Sequence, residues 1–180
     1  MKQKINLELK YRCSNFVYIR KVLKEIGAKK IIVKQQKDYF FNLPLDNKKI
    51  PARLKLRVEN GKQTLVYYRR PDFSKTSDTP ADVTILAVKD PKLLNFLSKA
   101  LGLKVVVEKR RELWRKENTV FNLDRVKNIG NIFEVEVWTT PRTIKADKKK
   151  FADYRKKLLP YLNKIVSGSN ENLISKLKYR

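Results

Sequence analysis

Arg53-Leu54-Lys55-Leu56-Arg57-Val58-Glu59-Asn60-Gly61, followed by Lys62 to Arg70, is the stretch that decides the fold. Charged and apolar residues alternate from Arg53 to Val58, the period of a strand with one apolar face. Asn60-Gly61 then supplies the strongest short signal for a tight hairpin. A two-residue loop at that point pairs Glu59 with Lys62, Arg57 with Thr64, Lys55 with Val66 and Arg53 with Tyr68, and carries Arg70 onto the same face. One face of the hairpin thus gathers Arg53, Lys55, Arg57 and Arg70, while Leu54, Leu56, Leu65 and Tyr67 take the other. Two strands sharing a cationic face are unusual, and other strands of the chain repeat the plan.

Working outward, residues 4–13 alternate as well: Ile5, Leu7, Leu9, Tyr11 and Cys13 against Lys4, Asn6, Glu8, Lys10 and Arg12. Ser14 and Asn15 are good caps for a helix whose apolar residues recur at Phe16, Ile19, Val22, Leu23 and Ile26, with Gly27 as its stop. A strand is expected over 30–42, and loops over 43–51 and 71–81, where proline and short polar residues cluster. Residues 82–89 read as a strand. Asp90-Pro91 opens a helix with Leu93, Leu94, Leu97 and Leu101 on its apolar stripe, closed by Gly102. Strands follow over 104–115, 119–127 and 132–138; in the last, Glu134 and Glu136 share one face, and Phe133, Val135 and Val137 the other. A basic helix is expected over 146–166, with Phe151, Tyr154, Leu158, Tyr161, Leu162 and Ile165 inward and Pro160 kinking or restarting it, and then a short terminal helix. About eight strands with inserted helices make an α+β chain dominated by antiparallel pairing, with one domain over 1–180.

Composition narrows the chemistry. Lys and Arg total 43 and Asp and Glu 18, a net charge of +25, so an anionic partner is expected: phosphate compounds, nucleic acid or a membrane surface. There is no histidine, which excludes Ser-His-Asp and Cys-His catalysis, histidine-ligated zinc and histidine general bases together. The single cysteine, Cys13, excludes a disulfide within the chain and reads as an inert core thiol. The five glycines lie too far apart to form a phosphate-binding loop, so bound phosphates must be met by side-chain cations. No apolar run is long enough to span a membrane, and without a signal-like segment at the start the cytoplasm is the expected compartment.

Four blocks carry a family resemblance. Asn6-Leu7-Glu8-Leu9-Lys10 resembles the Glu-x-Glu-x-Lys signature that opens CYTH-domain proteins, the triphosphate tunnel metalloenzymes. Ala52 to Arg57 with Tyr67 to Asp72 resembles the second block of their class IV adenylyl cyclase-like branch. Val105 to Arg111 contains a Lys-x-Arg pattern similar to the third, and Asn122 to Val126, Gly130 and Phe133 to Glu136 resemble the fourth. The blocks run in family order over roughly residues 4–138. The resemblance implies an eight-stranded antiparallel β-barrel flanked by helices, with a polar tunnel that binds a triphosphate and a divalent metal, Mg²⁺ or Mn²⁺. The sequence departs from the signature at Asn6, where the family has glutamate, leaving a neutral oxygen in place of a carboxylate.

On that reading Lys10, Arg53, Lys55, Arg57, Arg70, Lys109 and Arg111 form the triphosphate clamp, with Lys10, Arg57, Lys109 and Arg111 nearest the chemistry. Strand 104–115 is polar on both faces, so the resemblance alone selects Lys109 and Arg111 over Glu108 and Arg110. Glu8, Glu134 and Glu136 are candidate metal ligands. Asp124 is either a fourth ligand or, if the turn at Glu117-Asn118 is two residues long, the ion-pair partner of Arg111. Trp114, Trp138 and the Tyr39-Phe40 pair are expected in the core or at the barrel rim, and Lys148 to Lys150 on a solvated helix face. The leading expectation is an enzyme similar to a class IV adenylyl cyclase, converting ATP to cyclic AMP and pyrophosphate. The first alternative is a triphosphatase acting on inorganic, thiamine or nucleoside triphosphate. An alternative of another class is a non-catalytic module that binds a polyanion or RNA. The expected partner is a triphosphate-containing small molecule, with nucleic acid secondary and no membrane; a monomer or homodimer is expected.

Overall fold

The computed structural model describes residues 5–44, 52–69, 82–166 and 168–178. Residues 45–51 of the expected 43–51 loop, the expected loop over 71–81 and Arg70 lie outside the described residues. In chain order the elements are β1 (Ile5–Arg12), α1 (Val17–Glu25), β2 (Lys29–Phe41), β3 (Ala52–Glu59), β4 (Lys62–Arg69), β5 (Asp82–Val88), α2 (Leu93–Leu101), β6 (Leu103–Lys116), β7 (Thr119–Val126), β8 (Gly130–Thr139), α3 (Ile144–Leu158) and α4 (Asn170–Lys178). The strands form one antiparallel sheet in the order β1-β8-β7-β6-β2-β3-β4-β5. Hydrogen bonds do not close it, since β1 and β5 are its two edges. It is nevertheless curled into a tunnel, because side chains of β1 at one edge and β4 near the other line a single cavity.

The β3–β4 hairpin has the expected register, Glu59 opposite Lys62 through Arg53 opposite Tyr68. Asn60 and Gly61 both take positive φ, at 47° and 79°, as the tight turn demands. The β6–β7 turn is two residues long and sets Arg111 opposite Asp124. The apolar faces turn outward under the helices. Leu7, Tyr11, Phe121, Leu123, Phe133, Val135 and Val137 pack against Phe16, Ile19 and Leu23 of the α1 segment and Phe151, Tyr154 and Leu158 of α3. Cys13 and Trp114 are buried in that layer, and burial pushes the Cys13 thiol up to about 12. Trp138 stands at the rim, 46 % exposed.

The C-terminal segment departs from the expected helix over 146–166. Pro160 cannot donate to the ladder and α3 stops at Leu158. After a single 3₁₀ turn over Leu159–Tyr161, residues 163–166 run extended along the open edge of β1. Arg12 N donates to Lys164 O at 2.9 Å, Asn163 N to Arg12 O at 2.8 Å and Val166 N to Lys10 O at 2.9 Å. Leu162 and Val166 are buried, whereas Tyr161 and Ile165, expected inward on a helix, face solvent because the helix has already ended. The added backbone covers an edge that would otherwise present unpaired groups. It also delivers Gly168 and Ser169, with Asn170 at the start of α4, to the cavity.

Candidate active site: a tunnel of paired charges

The inward faces meet around a cavity of about 180 Å³. Lys10 and Glu8 come from β1, Asp38 and Phe40 from β2, and Arg53, Lys55 and Arg57 from β3. Tyr68 comes from β4, Lys109 and Arg111 from β6, and Glu134 and Glu136 from β8. All are placed by period-2 alternation; the other face of β1 and β8 is apolar and packed, while that of β6 also carries charge.

Each cation is held by a carboxylate, usually across one rung of the sheet. Asp38 lies directly opposite Arg57, and Arg57 Nε and Nη2 donate to its two oxygens, both at 2.7 Å; Lys55 Nζ reaches Oδ2 at 2.8 Å. Asp124 repeats the motif one strand pair away, with Arg111 Nε and Nη2 at 2.7 Å each and Lys109 Nζ at 2.8 Å. Lys10 Nζ sits 2.8 Å from Glu134, which Arg111 also approaches at 3.2 Å. Arg53 Nε donates to Glu171 of α4 at 3.0 Å and packs over the Tyr68 ring. Such forked guanidinium–carboxylate contacts fix side-chain direction as well as energy. With Asp124 and Glu171 counted, the described tunnel residues comprise six cations and six carboxylates.

Among the described residues the tunnel therefore matches cations and carboxyl groups one for one, but several of them carry charge against burial. Burial works against the charge of Asp38, yet Lys55 and Arg57 overcome it and hold its carboxyl well below the usual range. Asp124 is likewise resisted by burial and pulled down by Arg111 and Lys109. Burial outweighs Asp38 at Lys55 and brings its ammonium down to about 8; burial and the neighbouring Arg111 lower Lys109 too. Burial also raises the Tyr68 hydroxyl to about 12, against the pull of Arg53. Cations held unfavourably in a desolvated site gain from an anionic ligand that brings more negative charge than the carboxylates supply.

The carboxylates of β1 and β8 have the complementary problem. Glu8 and Glu136 are directly opposed across the β1–β8 ladder, an arrangement of like charges that is destabilising without a cation between them. Asn122 Nδ2 donates to Glu134 at 2.9 Å and to Glu136 at 3.0 Å, gathering the two carboxyls. Burial and the adjacent Glu134 drive Glu136 well above the usual range, while Glu134, despite its burial, is held well below it by Lys10 and Arg111. A carboxyl forced to keep a proton beside two carboxylates is a donor set that suits a hard divalent cation. Among the described residues, no three ligand-type side chains already stand in metal-holding geometry. Glu8 and Glu134 are instead turned to Lys10, and both oxygens of Asp124 are taken by Arg111 and Lys109.

The structure thus brings Lys10, Arg53, Lys55, Arg57, Lys109 and Arg111 to one cavity with Glu8, Glu134 and Glu136, and sets Asp124 beneath the clamp. Asn6 pairs with Trp138 on the backbone of β1 and β8. Sequence reasoning missed Asp38, the anchor of Lys55 and Arg57. Its alternation with Gln36 and Phe40 is readable, but its partner depends on β2 pairing with β3, which no local pattern announces. It also missed Glu171 and the 168–170 segment, for which no local pattern exists.

A curled antiparallel sheet whose interior carries rungs of cations and carboxylates defines a β-tunnel protein. The chain belongs to the CYTH domain family, whose model matches residues 4–168. It is 30 % identical over 135 residues to the "Putative adenylate cyclase MJ0240" of Methanocaldococcus jannaschii, a match spanning 73 % of this chain and 76 % of that protein. Among solved structures it is similar to the PH1012 protein of Pyrococcus horikoshii, with a TM-score of 0.70 and 27 % identity over 88 % of this chain and 94 % of that one. The fold is shared with a "putative adenylyl cyclase" of Hippeastrum described as having a dominant triphosphatase activity, with a TM-score of 0.64 and 17 % identity over 97 % and 96 % of the two chains.

Proposed function

We propose that this protein is a divalent-metal-dependent enzyme that cleaves a triphosphate held in the tunnel. The observation that carries the reading is the clamp itself: six cations converge on one cavity, and Lys55 and Lys109 carry their charge against the cost of burial. A triphosphate of nearly four negative charges satisfies them better than Asp38 and Asp124 do. Arg57 and Arg111, each pre-aimed by a bidentate carboxylate, orient the phosphate chain, and Lys10, Lys55 and Lys109 neutralise charge that grows on its oxygens as a bond breaks. Glu8, Glu134 and Glu136 would hold the metal, with Asp124 orienting Lys109 and Arg111. When bound, a divalent ion there supplies Lewis-acid stabilisation of the phosphate oxygens.

Two reactions use this clamp. Attack by water on the terminal phosphorus makes a triphosphatase; attack by a ribose 3′-hydroxyl on the α-phosphorus, with pyrophosphate leaving, makes an adenylyl cyclase. Cavity size favours the first. About 180 Å³ is below the roughly 300–1,000 Å³ of pockets that enclose drug-sized ligands, so it suits a phosphate chain more than a whole nucleotide. The cyclase reading is favoured by the sequence blocks and by the likeness to the 30 % identical putative adenylate cyclase of Methanocaldococcus jannaschii. The test is incubation with ATP, thiamine triphosphate and inorganic triphosphate with Mg²⁺ or Mn²⁺, with products resolved by ³¹P NMR. Release of orthophosphate supports the triphosphatase, and cyclic AMP with pyrophosphate the cyclase. Absence of turnover on all three, or full turnover in excess chelator, overturns the proposal.

A further inference from the structure

The described tunnel residues count six cations against six carboxyl groups, so among the described residues the excess of Lys and Arg over Asp and Glu lies outside the tunnel. Part of it is concentrated where no carboxylate answers it. On the outer face of the sheet, Arg110 of β6 and Arg125 of β7 stand directly opposite each other, a like-charge pair that costs stability unless an anion bridges it. They line a groove of about 420 Å³ with Lys37 and Lys127, and Glu108, its single carboxylate, is already shared by those two lysines at 3.0 and 3.2 Å.

An aromatic platform stands on the same outer face of the sheet, where α1 packs. Arg125 is paired with Asn131, whose side chain donates to Ser14 O; Ser14 Oγ in turn accepts from Asn163, two residues beyond Tyr161. Tyr161 stacks on Tyr18 at 5.4 Å and 11°, and the two tyrosines remain 39 % and 57 % exposed. Exposed parallel rings on the same face as unpaired guanidinium groups match what a single-stranded nucleic acid offers: phosphates at close spacing and unstacked bases.

We infer that this outer surface, from Arg110 and Arg125 to Tyr18 and Tyr161, binds single-stranded nucleic acid, independently of what the tunnel does. The test is fluorescence anisotropy of the full chain with a labelled 20-nucleotide RNA of mixed sequence, from 50 to 300 mM salt. R110Q/R125Q, which removes two phosphate contacts, should weaken binding about tenfold and flatten the slope of log K on log salt by roughly 1.4. Y18A/Y161A should weaken binding at least about fivefold with the slope unchanged, and the wild-type protein should prefer the single strand to its duplex. The tunnel variant R57A should bind RNA as the wild type does, so loss of turnover there leaves this proposal standing. R110Q/R125Q removes a repulsive pair, so its thermal melt should be no lower than the wild type's. Unchanged RNA affinity in both double variants, equal affinity for duplex, displacement by inorganic triphosphate, or tighter binding to phosphatidylserine vesicles than to RNA overturns the inference.

Discussion

Replacing Lys55 by methionine should make the protein more stable and its tunnel worse at binding. Lys55 Nζ lies 2.8 Å from Asp38 Oδ2, its side chain is 12 % exposed, and it rests over the rings of Phe40 and Tyr68. Burial, only partly offset by Asp38, brings its ammonium from an ordinary 10.5 to about 8. At 1.36 kcal/mol for each pH unit, carrying the charge at pH 7 costs about 3 kcal/mol. Methionine fills similar volume, tolerates the aromatic neighbours and carries no charge. Asp38 is not stranded by the change, because Arg57 still holds both of its oxygens. K55M should therefore be stabilised by about 1–3 kcal/mol at pH 7, read as a higher urea midpoint at unchanged slope. The folded protein gives up this proton near pH 8 and the unfolded chain only near 10.5, so between those values the unfolded state binds more protons and wild-type stability rises with pH. The advantage of K55M should shrink across that window and be gone by its upper end. Inorganic triphosphate should bind K55M about 10–100-fold more weakly by calorimetry. Destabilisation of K55M by 2 kcal/mol or more (roughly the cost of stranding a buried partner), or an advantage that stays constant from pH 7 to 10, would refute the reasoning.

Glu136→Gln removes one of two opposed carboxylates, so it should abolish metal-dependent turnover while the thermal melt holds or rises; full activity in the variant removes Glu136 from the metal set. Asn6→Glu adds a carboxylate at the head of β1 and should tighten Mn²⁺ binding without triphosphate in a calorimetric titration; equal affinities place Asn6 away from the metal. Glu171→Gln neutralises the partner of Arg53 and Lys104, and amides of α4 should exchange at least about tenfold faster by mass spectrometry; unchanged exchange shows that the ion pairs do not hold the helix.

Where alternation and turn chemistry act locally, the structure could be read in advance. The β3–β4 register follows from Asn60-Gly61, and the Arg111–Asp124 pairing from the two-residue turn at Glu117-Asn118. The β1 faces follow from period 2 alone. What was illegible depends on partners far along the chain. β2 lies between β3 and β6, and no residue within it announces either neighbour, so Asp38 stayed without a role. The polar residues of β6 occupy both of its faces because Glu112 serves Arg20 and Trp114 outside while Arg111 serves Asp124 inside. Residues 162–166 carry an apolar pattern compatible with a helix, and only the open edge of β1 makes them extended.

That edge has a consequence for synthesis. Tyr11 pairs with Phe133 on one side and bridges to Ile165 on the other, so β1 finds neither neighbour until well over a hundred more residues exist. At roughly 5–20 residues per second, a nascent β1 waits on the order of 6–25 seconds for β8 alone. For that interval it is an unpartnered strand with Leu7, Leu9 and Tyr11 exposed, the kind of segment that seeds aggregation. Glu8, Lys10 and Arg12 interrupt the apolar run at every second residue and act as gatekeepers. The alternation that later puts charge into the tunnel thus guards the chain before a tunnel exists, and replacing Glu8 or Lys10 by an apolar residue should lower soluble yield as well as activity.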